Sequence, residues 1–185
     1  DAIDRINKKN LGIKILKGAE VNIKKDGSLD ISDEVLAKLD FAGGAIHSVF
    51  NLSEEEQTER LICAMQNPHI DIIFHPTTRI PMRREPIKLD FERIFKEAAR
   101  TGTILEIDGH PWRLDLHDDL IRQAKKYGAK FVIDTDAHST GELSYLEYGI
   151  AQARRGWAEK SDIVNTLPLA KLLELFKKPK TKRFK

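Results

Sequence analysis

Five times along this chain a short apolar run is followed by a stretch with helical spacing. The runs fall at residues 13–21, 41–46, 70–74, 103–107 and from 131 onward. Helical patterns follow from 32 and at 53–66, 90–102, 115–127 and 142–156, with a last amphipathic one at 169–176. Strands alternating with helices predict an α/β fold with a mostly parallel sheet, because parallel neighbours need long crossovers. Right-handed crossovers then bring the carboxyl end of every strand to one face. Glu20, His47, His75, the Glu106–Asp108 pair, and Asp136 with His138 all stand at those ends. Metal-capable side chains at the ends of five consecutive strands predict a shared site there.

The site is expected to turn on Phe131-Val132-Ile133-Asp134-Thr135-Asp136-Ala137-His138-Ser139. Apolar residues lead straight into two carboxylates and a histidine, as in a buried strand that emerges into a site. In extended chain, residues two apart point the same way, which predicts that Asp136 and His138 face one pocket. A carboxylate beside an imidazole is one beginning of a zinc or manganese site.

Local signals support the element order. Ser53 with Glu56 has the capping-box pattern, and Asn67-Pro68 stops the helix it starts. Asp90 caps the next helix and Gly102 closes it. Residues 2–9 read as the end of a helix, Asp26-Gly27-Ser28 as a turn, and Ile163-Val164 as a last short strand.

With 185 residues, 41% apolar and 32% charged, the chain suits one globular domain. It has no apolar run long enough for a membrane helix and no signal-peptide pattern, so a cytoplasmic location is expected. The single Cys63, read as buried packing in a helix, fits a reducing compartment. The net charge of +2 hides an asymmetry. Residues 177–185 carry six of the 31 Lys and Arg and no acid, leaving 25 basic against 29 acidic residues elsewhere. Residues 1–176 are expected to form the β/α domain, and 177–185 a disordered basic tail that attracts nucleic-acid phosphates. Asp1 is not a methionine, so a longer parent chain is expected.

Each site residue has a plainer reading. His47 can cap a turn, His75 can simply precede Pro76, and Glu20 can be a surface charge. Together they supply one carboxylate and two imidazoles, the ligand set of a catalytic zinc with an open position. Asp136 and His138 supply part of a second centre. Glu106 reads equally as a ligand or as a group orienting a histidine. His110 stays open between roles, while His69 and His117 read as structural or solvated. Arg79 and Arg113, in rim loops, suit either bidentate phosphate binding or surface ion pairs.

An ordered set of motifs carries a resemblance. It comprises Gly18-Ala19-Glu20, Ala45-Ile46-His47-Ser48, His75-Pro76-Thr77-Thr78-Arg79, Leu105-Glu106-Ile107 with Pro111-Trp112-Arg113-Leu114-Asp115-Leu116, and Thr135-Asp136-Ala137-His138-Ser139. Together these resemble the PHP (polymerase and histidinol phosphatase) family. Residues 148–157 and Asn165-Thr166-Leu167 resemble its subgroup in bacterial and archaeal family X DNA polymerases. The resemblance implies a distorted β/α (TIM-like) barrel that binds up to three zinc or manganese ions and hydrolyses phosphoesters. In the polymerase subgroup it implies 3′–5′ exonuclease or DNA-end processing. Glu20, His47, His75, Asp136 and His138 would be the metal ligands and catalytic residues, and Arg79 and Arg113 would hold substrate phosphates.

The sequence also departs from the family. Phe74 and Thr78 stand where glycine is usual, and no His-x-His or Asp-His dipeptide supplies the family's opening ligands. The resemblance therefore implies that the first β/α units are missing, and that fewer ions are bound. DNA, through the rim arginines and the tail, and the rest of a polymerase chain are the expected partners, with no membrane. Two alternatives stand beside this reading. One is a free-standing phosphatase for a small phosphomonoester such as histidinol phosphate; the other is a non-catalytic metal-stabilised or DNA-binding module.

Overall fold

A computed structural model describes residues 2–184; Asp1, and Lys185 of the basic tail, lie outside the described residues. Strands β1 (Gly18–Asn22), β2 (Phe41–Ala45), β3 (Ile72–Ile73), β4 (Ile104–Asp108) and β5 (Lys130–Asp134) form one sheet in sequence order. Every pairing in it is parallel. A sheet that adds each new strand beside the last, always parallel, has the winding of a TIM-like, PHP-type fold. Helix α1 (Ala2–Asn7) precedes the sheet, and α2 (Asp33–Leu36), α3 (Glu54–Gln66), α4 (Phe91–Thr101) and α5 (Asp118–Lys126) lie in the successive crossovers. Helices α6 (Leu146–Arg155) and α7 (Leu169–Lys177) follow it. Helix α3 packs on α4, α4 on α5, and α5 on α6.

The local signals act as their chemistry predicts. Ser53 Oγ accepts from the Glu56 N–H at 3.2 Å, and Glu56 accepts from the Ser53 N–H at 2.9 Å. Asp90 accepts from the Arg93 N–H at 3.1 Å, and Gly102 closes α4 at φ 75°. Three elements differ from expectation. The first strand begins only at Gly18, and β3 has two residues because the chain turns at His75. Ile163 makes a single parallel bridge to Phe131 instead of a strand. Cys63 is exposed on α3, whose buried side is taken by Arg60, Leu61, Ala64 and Met65.

Alternation within the strands sorts two cores. Val21, Ile73, Leu105, Ile107, Phe131 and Ile133 face the crossover helices and pack with Leu61, Ile94, Phe95 and Ile121. Ile72, Ile104 and Val132 face the other side, where Leu172, Leu175 and Phe176 of α7 cover them with Phe184. Arg60, 2% exposed, donates to the carbonyls of Ile23 and Lys24 after β1 and of Ser48 and Val49 after β2. One buried guanidinium thus ties the two loops that bracket His47.

Residues 177–184 of the basic tail pack on the domain, contrary to the expectation of disorder. Lys180 Nζ donates to the carbonyls of Met65 at 2.7 Å and Asn67 at 3.0 Å. Arg183 pairs with buried Asp71, whose other oxygen accepts from the Ala42 N–H at 2.9 Å. Gly102 permits this approach, since a Cβ there would lie 2.1 Å from the Lys180 carbonyl oxygen. Because Asp71 precedes β3, the tail closes the amino ends of the strands, the rim opposite His47 and His75. Lys177, Lys178 and Lys182 stay exposed. Arg183→Ala should lower the unfolding free energy by about 3 kcal/mol, because it strands a buried carboxylate. Urea unfolding measures this; a loss under about 1 kcal/mol, the scale of a surface pair, would remove the tail from the folded unit.

Candidate metal centre

The parity that sorts the cores also builds the site. On β1, Ala19 and Val21 pack into the larger core, so Glu20 and Asn22 point to the opposite face. Glu106 and Asp108 share that face with Ile104, and Asp134 shares it with Val132. His47 follows two residues after β2, in step with Phe41 and Gly43. His75 breaks the alternation, turned by a left-handed backbone at φ 29°.

These placements bring three side chains together. Glu20 Oε1 lies 3.1 Å from His47 Nε2 and 2.9 Å from His75 Nε2. The two rings meet edge to face with centroids 5.2 Å apart. Asn22, which the sequence reading passed over, organises His47. Its Nδ2 donates to Asp30, so its Oδ1 accepts from His47 Nδ1–H at 2.6 Å. That bond keeps the proton on Nδ1 and leaves the Nε2 lone pair facing Glu20. Glu106 accepts the backbone N–H of His75, so it positions the histidine by its main chain.

His75 Nε2–H can donate to the Glu20 carboxylate, whereas His47 Nε2, whose lone pair faces the same oxygen, needs a proton or a metal ion between them. With a proton there, the hydrogen bonds from His47, then His75, hold the Glu20 carboxyl far below the usual carboxylate range, so it is ionised. Ligand atoms of Glu20, His47 and His75 lie within 4.8 Å of one another. A carboxylate with two imidazoles is a metal-binding donor set, and these residues fit a metal ion. His117, Asp118 and Asp119 form a second such group, but Asp118 is drawn to Arg155 at 2.7 Å.

Asp136 and His138 line the same cavity, of about 460 Å³, as Glu20, His75, Glu106 and Asp134. They reach it by another route than the one expected. Beyond β5 the chain is no longer extended, because Asp136 takes φ 45°. His138 Nδ1 donates to the Asp136 carbonyl at 2.6 Å and lies 3.8 Å from its carboxylate. Among the described residues these two join no group of three ligands. Arg113 lies 3.6 Å from Asp136 and 3.9 Å from Asp108, and its carbonyl accepts from Arg79 Nε at 2.9 Å. His110 accepts from the Trp112 N–H at 3.2 Å, a loop-organising role. The two departures from glycine are also accommodated. Phe74 covers Gly43, where a Cβ would lie 2.0 Å from its ring, and Thr78 adopts φ 55°.

Burial, with neighbouring carboxylates adding to it, raises Glu106 and Asp134 of this cavity wall and Asp108, which pairs with Asp134 at the strand ends. Glu106 is held well above the carboxylate range, Asp108 is pushed up to about 8 and Asp134 to about 6. Asp134 carried no site assignment in the sequence reading, yet its two-residue spacing from Val132 and Asp136 was the available signal.

No family model matches the chain. The DNA polymerase/3′-5′ exonuclease PolX of Bacillus subtilis (strain 168) is 40% identical over 167 residues, which cover 90% of this chain. The chain spans only 29% of that protein. A probable phosphatase of Thermoanaerobacter sp. (strain X514) is 30% identical, with 92% of this chain and 71% of the relative covered. A probable phosphatase of Acetivibrio thermocellus is 31% identical over 74% of this chain and 57% of the relative.

Two outcomes follow from this geometry. Asn22→Ala should weaken metal affinity about tenfold to a hundredfold, by freeing the His47 tautomer; isothermal titration checks this. Asp108 binds a proton natively up to about pH 8 but releases it near 3.8 when unfolded. Its stabilising contribution is therefore full below 3.8 and declines as pH rises to about 8. Asp108→Asn should flatten that decline in urea unfolding; a decline of unchanged slope would assign it to other groups.

Proposed function

The chain belongs to the PHP-type family of these relatives, and from that premise we propose a metal-dependent phosphoesterase domain of the 3′–5′ exonuclease, DNA-end-processing kind. The convergence of His47 and His75 on Glu20, with Glu20 and His75 lining a cavity at the carboxyl rim, is the observation that carries this reading. A zinc or manganese ion held by Glu20, His47 and His75 would polarise a phosphoryl oxygen and acidify a water molecule. Asp136 and His138 would hold a further ion less completely. Asn22 keeps the His47 lone pair directed inward, and Glu106 fixes the His75 backbone. Glu106 and Asp108, neutral through burial, spare an entering phosphate the repulsion of two more charges. Arg113 and Arg79 bring guanidinium groups to the rim, where they would hold phosphate oxygens.

The 40% identity to a protein named as an exonuclease favours DNA as substrate. The rim arginines, not the tail, are its proposed contacts, because Lys180 and Arg183 are buried at the opposite end. The tail is proposed as part of the folded domain. The Thermoanaerobacter relative, 71% covered, favours a second reading in which the same site hydrolyses a small phosphomonoester.

Hydrolysis of end-labelled single-stranded DNA with added Mn²⁺ tests the proposal. Glu20→Gln and His75→Ala should each lower kcat/KM about 100-fold or more. Metal analysis should show a larger loss for His75→Ala than for His138→Ala. A preference for small phosphomonoesters would select the second reading. DNA binding with no hydrolysis under any divalent ion would leave a non-catalytic module.

A further inference from the structure

Trp112, in the loop after β4, is 65% exposed. Leaving an indole in water forgoes the burial that usually places tryptophan indoors, yet the surroundings are built to hold this one. The His110 ring meets Trp112 edge-on at 5.7 Å and Tyr145 at 5.2 Å, and Tyr148 lies 5.9 Å beyond Tyr145. The exposed Arg83 guanidinium lies over the indole, 5.3 Å from its centroid. Among the described residues, Arg83 has no carboxylate partner. Trp112, Arg83 and His110 line a cavity of about 310 Å³ together with Arg113, Asp136 and His138. Asp136 and His138 also line the cavity of Glu20 and His75, so the two spaces share a wall.

We infer that this second cavity is a nucleobase subsite for a single-stranded end. Trp112 stacks the base of the nucleotide whose phosphate lies at the metal centre, and Arg83 takes an adjacent backbone phosphate. The inference deepens the phosphoesterase reading and rests on it for the position of the phosphate. An exposed aromatic face beside an unpaired cation matches the way unpaired bases are held, by stacking that tolerates any sequence. A base inside a duplex offers no free face, which selects the single strand. The cavity is at the small end for ligand sites and suits one base. Guanidinium suits a phosphate better than an ammonium would, because its planar fork matches two oxygens.

Trp157→Phe leaves Trp112 as the one remaining tryptophan of two, a direct reporter. In EDTA, oligothymidylate should quench its fluorescence, and an abasic phosphodiester of equal length should not. Trp112→Ala should lower the ratio of intact to abasic affinity roughly tenfold, as for loss of one stacked base, and Trp112→Phe should restore most of it. Arg83→Ala should weaken both oligomers and reduce the salt slope by about one. Equal quenching by the abasic oligomer, or an unchanged affinity ratio in Trp112→Ala, would overturn the subsite. Binding is read without metal, so base-dependent quenching in a protein that hydrolyses nothing would overturn the phosphoesterase reading alone.

Discussion

The alternation of side chains along the strands is the constraint on which this molecule depends. Ile104, Glu106 and Asp108 of β4 share one face, while Leu105 and Ile107 between them pack under the crossover helices. Repeated across the sheet, that parity runs an apolar floor into a polar mouth. Phe41, Ile72, Ile104 and Val132 form the floor, sealed by α7. Glu20, His47, Asp108 and Asp134 stand at the mouth. A one-residue slip of any strand would exchange its entire set of faces, so the core and the site specify each other's register.

Carrying carboxylates down that file has an energetic cost. An ionised acid in such a place is expensive, and the raised proton affinities of Glu106, Asp108 and Asp134 show how the cost is met. Glu106 remains useful while neutral, because its carbonyl oxygen still accepts the His75 N–H. The rim also holds backbone strain. His75, Thr78, Leu114 and Asp136 are all left-handed without being glycine, each at a cost of about 1–3 kcal/mol. The opposite rim is held by the Arg183–Asp71 pair and the Lys180 hydrogen bonds. A buried ion pair ties the chain at one end of the sheet, and the candidate metal-binding side chains gather at the other.

Much of this was legible in the chain. Ser53 with Glu56, Asp90, and Gly102 mark helix ends through bonds made within a few residues, so neighbours in sequence suffice to read them. Glu20, His47, Glu106, Asp108 and Asp136 were recognisable because strand-end position and parity are local properties. Asn22 and Asp134 obey the same parity and were overlooked beside more familiar ligand types. Cys63 was misjudged because a helix in a crossover has one face in water, and which face depends on its partners.

The remainder was decided only by tertiary structure. Composition shows residues 177–185 as a run of cations; it cannot show that Arg183 meets Asp71, 112 residues earlier, or that Lys180 meets the end of α3. The meeting of His75 with Glu20 spans 55 residues and depends on one left-handed turn. By itself the sequence determined the order of strands and helices, the face each strand residue takes, and the set of donors at the carboxyl rim. Those follow from backbone periodicity and short-range hydrogen bonds. The fold alone decided which donors touch, which acids keep their protons and where the tail goes, because distance and desolvation are set by packing between segments far apart in the chain.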